Sequence, residues 1–392
     1  MSDVFQLPTG AHAQAAENPF ARFGLERNPF PISGIESGVL YTDHMQNEVG
    51  RVNTWISEMG QADNEFGPLA ISGSLGAGKT HLLRTLERGL RLNEKTPVLR
   101  KPLTEEGMTR IVLANLILQH TPFSDLEDQE GEPATRLLQR IVEALRNSVF
   151  ALDEILPDGS GSPLRNPLRI LQQSSDGDPR KVLWLSRWMR REYTTPTQRA
   201  KLGLSGVLES EGQAIRAIGD LLRLARRADI VHVWFVMIDQ LEELWRPGVI
   251  TPSRRARFLT DVRLLVDQAL EGAPIAVLLA WNTYASPSPW GNIDKQIQRD
   301  YLALWQRLGK PADLPLLSKS NIWPFAEAYL SHAGVAADAA EAKKSLYDSL
   351  YQQASSVLSS LQEEDDEDGF APRQVLYEWR ERAKEIAGNS GG

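Results

Sequence analysis

Cysteine is absent from the 392 residues. Disulfides, thiolate nucleophiles and cysteine-held zinc are therefore excluded. Histidine is scarce: six are present, scattered and without a metal-ligand spacing, so no structural metal is expected. Long apolar runs are missing too, and a stretch such as Val231 to Ile238 is far too short to span a membrane. The first residues show no basic segment followed by an apolar one, so no signal peptide is expected. The expectation is a soluble, cytoplasmic chain with no membrane partner. Positive charge is also in deficit, with 43 Lys and Arg against 51 Asp and Glu and a formal net charge of −8. That excludes a uniformly basic surface but leaves room for local basic patches. The deficit is uneven, because from Asn321 onward 13 acidic residues meet six basic ones.

What is present supports a folded core, since 42% of the residues are apolar. Residues 1–18 are small and polar and read as a flexible tail. Two echoing segments follow, Asn18-Pro19-Phe20 and Asn28-Pro29-Phe30-Pro31, with Phe23-Gly24-Leu25 between them. Each proline disfavours helix and each Phe offers an anchor, so the pair reads as an extended strap on a domain surface. A helix is expected over Asp43 to Met59, with Val49, Val52, Trp55 and Ile56 on one face.

Strands and helices then alternate. Leu69 to Ser72, Pro97 to Leu103, Val231 to Ile238, Pro274 to Trp281 and Asp313 to Leu317 read as strands. Helices are expected at His81 to Leu92, Ser253 to Leu270 and Ile293 to Leu308. Between Thr104 and Ala228 the pattern is almost wholly helical, with Met108 to Leu118, Ala134 to Leu156, Lys181 to Tyr193 and Gly212 to Arg227 as the best candidates. Asn321 to Ala387 is helical throughout, interrupted by the acidic run Glu363 to Asp368, which reads as a solvated loop. The expected fold is α/β: a three-layer core over 19–318 with a parallel sheet, a large helical insertion at about 104–229, and a small all-helical C-terminal lid over 319–392.

Gly73-Ser74-Leu75-Gly76-Ala77-Gly78-Lys79-Thr80 matches G-x-x-x-x-G-K-[ST] in full, between an expected strand and an expected helix. Glycines let the backbone curl so that successive N–H groups face phosphate oxygens, and the following helix adds its positive end. Lys79 supplies a point charge to the β and γ phosphates, and Thr80 a hydroxyl to Mg²⁺. With His81 next in line, these residues are the expected ATP site. Asp239, closing the apolar run, is expected to hold Mg²⁺ from a parallel strand beside the first. The residue after it is Gln240, which cannot take a proton as a carboxylate can. Glu242 and Glu243 follow, and either could orient the attacking water or simply face a helix dipole.

This order of motifs resembles AAA+ ATPases over about Phe20 to Ile386, with a poor match between Thr104 and Ala228. The resemblance implies that Asn282, after the strand ending in Ala280-Trp281, is the sensor 1 residue that helps place water. It implies an arginine finger at Arg307, with Arg299 on the same stretch as the weaker choice. Arg373, in Ala371-Pro372-Arg373-Gln374-Val375-Leu376, corresponds to the sensor 2 contact to the γ phosphate. The strap resembles that of ATPases related to origin recognition, secretion and transposition regulation, which puts it near the adenine base. The segment from Asp239, Asp-Gln-Leu-Glu-Glu-Leu, instead resembles STAND signalling NTPases.

Two basic clusters bear on partners. Arg180 to Lys201 carries Arg180, Lys181, Arg187, Arg190, Arg191, Arg199 and Lys201, with Trp184, Trp188 and Tyr193 interleaved. That suits phosphate contact and base stacking, or equally an amphipathic helix with its arginines in water. Arg254, Arg255 and Arg257 open a helix whose dipole they oppose, so a contact with DNA, a partner protein or a neighbouring subunit is open to them. The leading expectation is a Mg²⁺-dependent ATPase, slowed by Gln240, whose nucleotide state controls homo-oligomerisation or docking on DNA or a protein. The alternatives are a STAND-like switch and a non-hydrolysing ATP-binding subunit of a larger complex, for example one in defence.

Overall fold

Residues 20–31, 39–61, 66–91, 97–102, 133–174, 179–246, 248, 250–284, 292–333, 340–362 and 369–388 are described in a computed structural model of the chain. The tail 1–18, the expected helix Met108 to Leu118 and the acidic run Glu363 to Asp368 lie outside the described residues. The chain divides into two compact units. One comprises Met45–Leu75 and Leu82–Leu314, and the other Met1–His44, Gly76–His81 and Pro315–Gly392.

The first unit is α/β. Its sheet has five parallel strands, β1 (Leu69–Gly73), β2 (Val98–Pro102), β3 (Trp234–Asp239), β4 (Ile275–Ala280) and β5 (Ala312–Leu314), in the order β2-β3-β4-β1-β5. Every residue of β1, β3 and β4 is buried, as strands covered on both faces require. In β5 burial alternates, with Asp313 exposed between two buried neighbours, as at an edge. Asp313 accepts from Ser72 Oγ at 2.9 Å, which adds a side-chain tie to the β1–β5 register.

The helices before and around the sheet are α1 (Gln46–Gln61), α2 (Lys79–Leu90), α3 (Pro133–Arg146), α4 (Leu152–Ile155), α5 (Arg165–Gln173), α6 (Pro179–Met189), α7 (Pro196–Lys201) and α8 (Glu211–Arg227). They are followed by α9 (Pro252–Leu270), α10 (Ile293–Asp300) and α11 (Leu302–Leu308). Local chemistry sets several starts. Ser210 and Gln213 close a capping box on α8, and Thr251 caps α9 with Pro252 in its first turn. Trp55 on α1 donates to Gly67 O at 2.7 Å and stacks edge-on against Phe235 of β3.

Two expected helices are broken. Ala134 to Leu156 divides because Ser148 takes a left-handed backbone (φ 54), which no helix continues through. Ile293 to Leu308 divides at Tyr301 (φ −135, ψ 45), a conformation outside the helical region.

The second unit is helical among its described residues. It contains α12 (Ile322–His332), α13 (Ala340–Gln362) and α14 (Pro372–Gly388). Phe20, Phe23, Leu25 and Phe30 are buried in one cluster with Phe325, Tyr329, Leu350, Leu376 and Trp379. The Asn-Pro-Phe sequence explains the shape. Asn28 Oδ1 accepts from the Phe30 N–H at 2.9 Å, an Asx turn that directs Phe30 inward. Asn28 Nδ2 donates to Arg380 O at 3.1 Å, and Arg380 Nη1 donates back to Phe30 O at 2.8 Å. Phe30 then stacks on Trp379 at 6.2 Å between ring centroids. Gly24, at φ 69, ends the short turn Ala21–Phe23 and allows Leu25 to turn inward after Phe23.

Candidate functional site

The glycine-rich segment leaves β1 at Gly73 and enters α2 at Lys79, as its strand and helix flanks predicted. Gly76 (φ 82) and Gly78 (φ 97) occupy backbone conformations that side-chain-bearing residues rarely adopt. A Cβ built on Gly78 would meet nothing within 4 Å, so its outer side faces open space. Lys79 is buried, with 7% of its surface exposed, while Ser74 and Leu75 are exposed and Thr80 and His81 half-buried. Glycines in left-handed backbone, open space beside Gly78 and a helix N-terminus suit a polyphosphate.

On the other side of Gly76, a built Cβ would lie 3.2 Å from Ala371 Cβ and 3.6 Å from Arg373 Cβ. The start of α14 therefore lies against this glycine. Arg373 is exposed there.

The strand order corrects one expectation. Asp239 was expected on a strand beside the first, but β4 lies between β1 and β3. The consequence is geometric. Leu279 pairs with Ala70 on one side and Ile238 on the other, so Asp239, Ala280 and Ile71 form the next row across the sheet. Two residues further, Asn282 is level with Gly73, and Thr283 N donates to Gly73 O at 3.0 Å. The residue level with Gly73, where the glycine-rich loop begins, is thus Asn282, with Asp239 one strand beyond.

Asp239 is buried, at 2% exposure. Its Oδ1 accepts from the Gln240 N–H at 2.9 Å. Arg100, from β2, brings its guanidinium to 3.8 Å from the Asp239 carboxylate and donates to Glu87 Oε2 at 2.7 Å. A buried acid at a strand end is suited to hold a divalent ion, which would share its charge with Arg100.

Gln240 takes a left-handed backbone (φ 60, ψ 41), uncommon for a residue with a side chain. It turns the chain into the 3₁₀ segment Leu241–Trp245. The turn brings Glu242 to Asn282, whose backbone N–H donates to Glu242 Oε2 at 2.9 Å while its Nδ2 donates to Oε1. Glu243 is directed elsewhere and pairs with Arg246 at 3.5 Å. Next to Asn282, buried Trp281 donates its indole N–H to Asp294. Burial pushes the Asp294 carboxyl up, the Trp281 hydrogen bond opposes this, and Asp313 adds to the rise.

The arginines divide by their partners. Arg307 is tied to Asp267 of α9 and donates to Ala303 O at 2.7 Å. Arg299 is exposed and paired with Asp300 at 2.6 Å. In the Arg180 to Lys201 stretch, Arg190 is buried and pairs with Glu192 at 2.9 Å, and Arg191 with Glu211 at 3.2 Å. Arg199 donates to Thr194 O, Lys181 to Ser174 Oγ at 3.3 Å, and Lys201 sits over the Trp184 ring at 5.8 Å. Trp188 is buried and donates to Gly206 O at 2.8 Å. In the structure these side chains make contacts within the chain. Arg254 and Arg257 are exposed at the start of α9, whereas Arg255 folds back over Trp245 at 5.4 Å.

Sequence reasoning missed Arg100 and the Glu242–Asn282 pair. Both depend on strand order, which places β2 beside β3 and β4 between β3 and β1. Neither order is written in local pattern.

No protein-family model matches the chain, and no curated protein does. Among solved structures, PCH-2 of C. elegans is found at 13% identity and a TM-score of 0.30, over 91% of this chain and 72% of that one. A superposition that loose leaves the parallel sheet and the glycine-rich loop of this chain as the grounds for its α/β, P-loop-like fold. No helix among the described residues is long and apolar enough to cross a membrane.

Proposed function

We propose that this chain is a P-loop ATPase of the AAA+ type, using Mg²⁺, whose nucleotide state governs self-assembly or docking on DNA or a protein partner. The observation that carries this is the shared sheet edge: parallel strands bring Gly73, Asn282 and Asp239 to neighbouring positions, and Gly73 is the first residue of a full phosphate-loop motif.

In this reading the amides of Ser74 to His81 and the N-terminus of α2 bind the phosphate chain, and Lys79 draws charge from its β and γ groups. Thr80 and Asp239 would hold Mg²⁺, which would neutralise charge on the phosphoryl oxygens. Asn282, with Glu242 and Glu243 on the neighbouring turn, orients a water for attack on the γ phosphorus. The bridging oxygen leaves with its electron pair on ADP, the water's oxygen stays on phosphorus as inorganic phosphate, and the water's proton passes to a phosphate oxygen or to solvent. Arg373, exposed beside Gly76, contacts the γ phosphate. Arg307 reaches a neighbouring copy's site only by giving up Asp267. Arg254 and Arg257 are the side chains offered to DNA or a partner.

Gln240 favours a second reading in which the nucleotide is held and scarcely hydrolysed, as in a STAND-like switch or an ATP-binding subunit of a larger assembly. Calorimetric titration with a non-hydrolysable ATP analogue tests what both readings share. Wild-type protein binds in the micromolar range or tighter with Mg²⁺, and Lys79→Ala weakens binding at least tenfold, about 1.4 kcal/mol. Equal affinity in the two proteins would remove the loop from the site.

A further inference from the structure

The Glu242–Asn282 pair has an asymmetry with a chemical consequence. An ionised carboxylate only accepts hydrogen bonds, so both groups that Asn282 turns toward Glu242 are donors, its backbone N–H and its Nδ2. The amide orientation of Asn282 is thereby fixed. Its Oδ1 faces away from Glu242 and has no hydrogen-bond partner among the described residues. Asn282 is further held by its neighbours, because Trp281 N donates to Ile71 O at 3.1 Å and Thr283 N to Gly73 O at 3.0 Å. Glu242 is delivered by the left-handed turn at Gln240, so a strained residue sets the clamp in place.

We propose that Glu242 is a positioning residue that acts through Asn282: it fixes the side-chain amide so that the carbonyl oxygen, an acceptor, is what the site presents to the attacking water. Each carboxylate oxygen of Glu242 accepts from Asn282, so the role assigned to Glu242 here is to hold that amide rather than to take the water's proton. This inference rests on the hydrolytic reading above and names the division of labour within it.

A double-mutant cycle separates positioning from base catalysis. Full-length wild type, Glu242→Gln, Asn282→Ala and the double variant are compared for ATP turnover and for affinity toward a non-hydrolysable analogue with Mg²⁺. Each single variant is expected to lose about 10²-fold in kcat, the scale of one oriented polar group. Analogue affinity should change by less than about threefold. The double variant should be no slower than Asn282→Ala, because a residue acting only through Asn282 has nothing left to position. A further large loss in the double variant would assign Glu242 a direct role and overturn the proposal, as would an unchanged kcat in Glu242→Gln.

A second measurement needs no turnover. In nucleotide-free protein labelled with ¹⁵N-asparagine, one side-chain NH₂ pair, assigned by its absence in Asn282→Ala, should show slowed exchange that Glu242→Gln abolishes. An unchanged signal would refute the clamp. If wild type hydrolyses nothing, the hydrolytic reading fails, and the NMR result still decides whether Glu242 holds Asn282.

Discussion

The guanidinium of Arg100 on β2 stands 3.8 Å from the buried carboxylate of Asp239 on β3, while its Nε donates to Glu87 on α2. One cation thus offsets two acids, and Asp239 is the one almost wholly removed from water, at 2% exposure. Arg100→Met should destabilise the nucleotide-free protein by about 1–2 kcal/mol, the cost of leaving a desolvated polar partner behind. A bound divalent cation would compensate the same charge, so Mg²⁺ with an ATP analogue should narrow the deficit. Thermal unfolding of both proteins, with and without ligand, measures this. A deficit of equal size in both conditions would separate Asp239 from metal binding.

Phe30 is fully buried between Trp379 and Tyr329. Phe30→Ala should cost about 3–5 kcal/mol within the helical unit. Because the chain has two units, one unfolding free energy does not describe it. Urea titration followed by proteolysis should show the C-terminal helices opening at lower denaturant while the sheet resists. A strap that contributes only surface cover would leave the susceptibility unchanged.

Asp261 on α9 is pushed up to about 6 by burial and by Glu211, against the pull of Arg257 and Arg191. Its folded pKa exceeds its unfolded one, so its protonated form favours the folded state. That contribution is complete below about pH 4 and is lost as pH rises through about 6. A shift of about two units corresponds to about 2–3 kcal/mol. Asp261→Asn should therefore gain on wild type in stability between pH 4 and pH 7, read as a widening gap in melting temperature. A gap that stays constant across that range would contradict it.

Arg307 and Asp267 pair across α9 and α11. Either Arg307→Ala or Asp267→Ala should lower stability by about 0.5–1 kcal/mol, since both groups retain some exposure. If Arg307 serves a neighbouring copy's site, only Arg307→Ala should reduce ATP turnover, and only at protein concentrations where the chain assembles. Turnover unaffected in both variants would leave Arg307 a packing residue.

Much of this was legible in the sequence, and the exceptions share a cause. The glycine-rich loop after β1 and the strand ends at Asp239 and Asn282 could be placed because each sits where a buried apolar run meets a polar residue, a purely local signal. The strap could be read because Asn28 bonds the N–H two residues on, again locally. The breaks at Ser148 and Tyr301 were not legible, since helical periodicity continues through both while the backbone does not. For the arginines from Arg190 to Arg199 the sequence left ligand contact and a solvated helix face both open, because their partners, such as Glu211, lie on other elements or on turned backbone. Arg100 was invisible as a neighbour of Asp239 because only the pairing of β2 with β3 brings them together.

The central claim is that the loop at Gly73 to Thr80 and the acid at Asp239 belong to one hydrolytic site. Steady-state phosphate release from ATP, measured with Mg²⁺ on purified wild type, Lys79→Ala and Asp239→Asn, tests it most directly. Wild type should show Mg²⁺-dependent turnover, and each variant at least a 10²-fold loss. Turnover that persists in Asp239→Asn, or that does not depend on Mg²⁺, would contradict it.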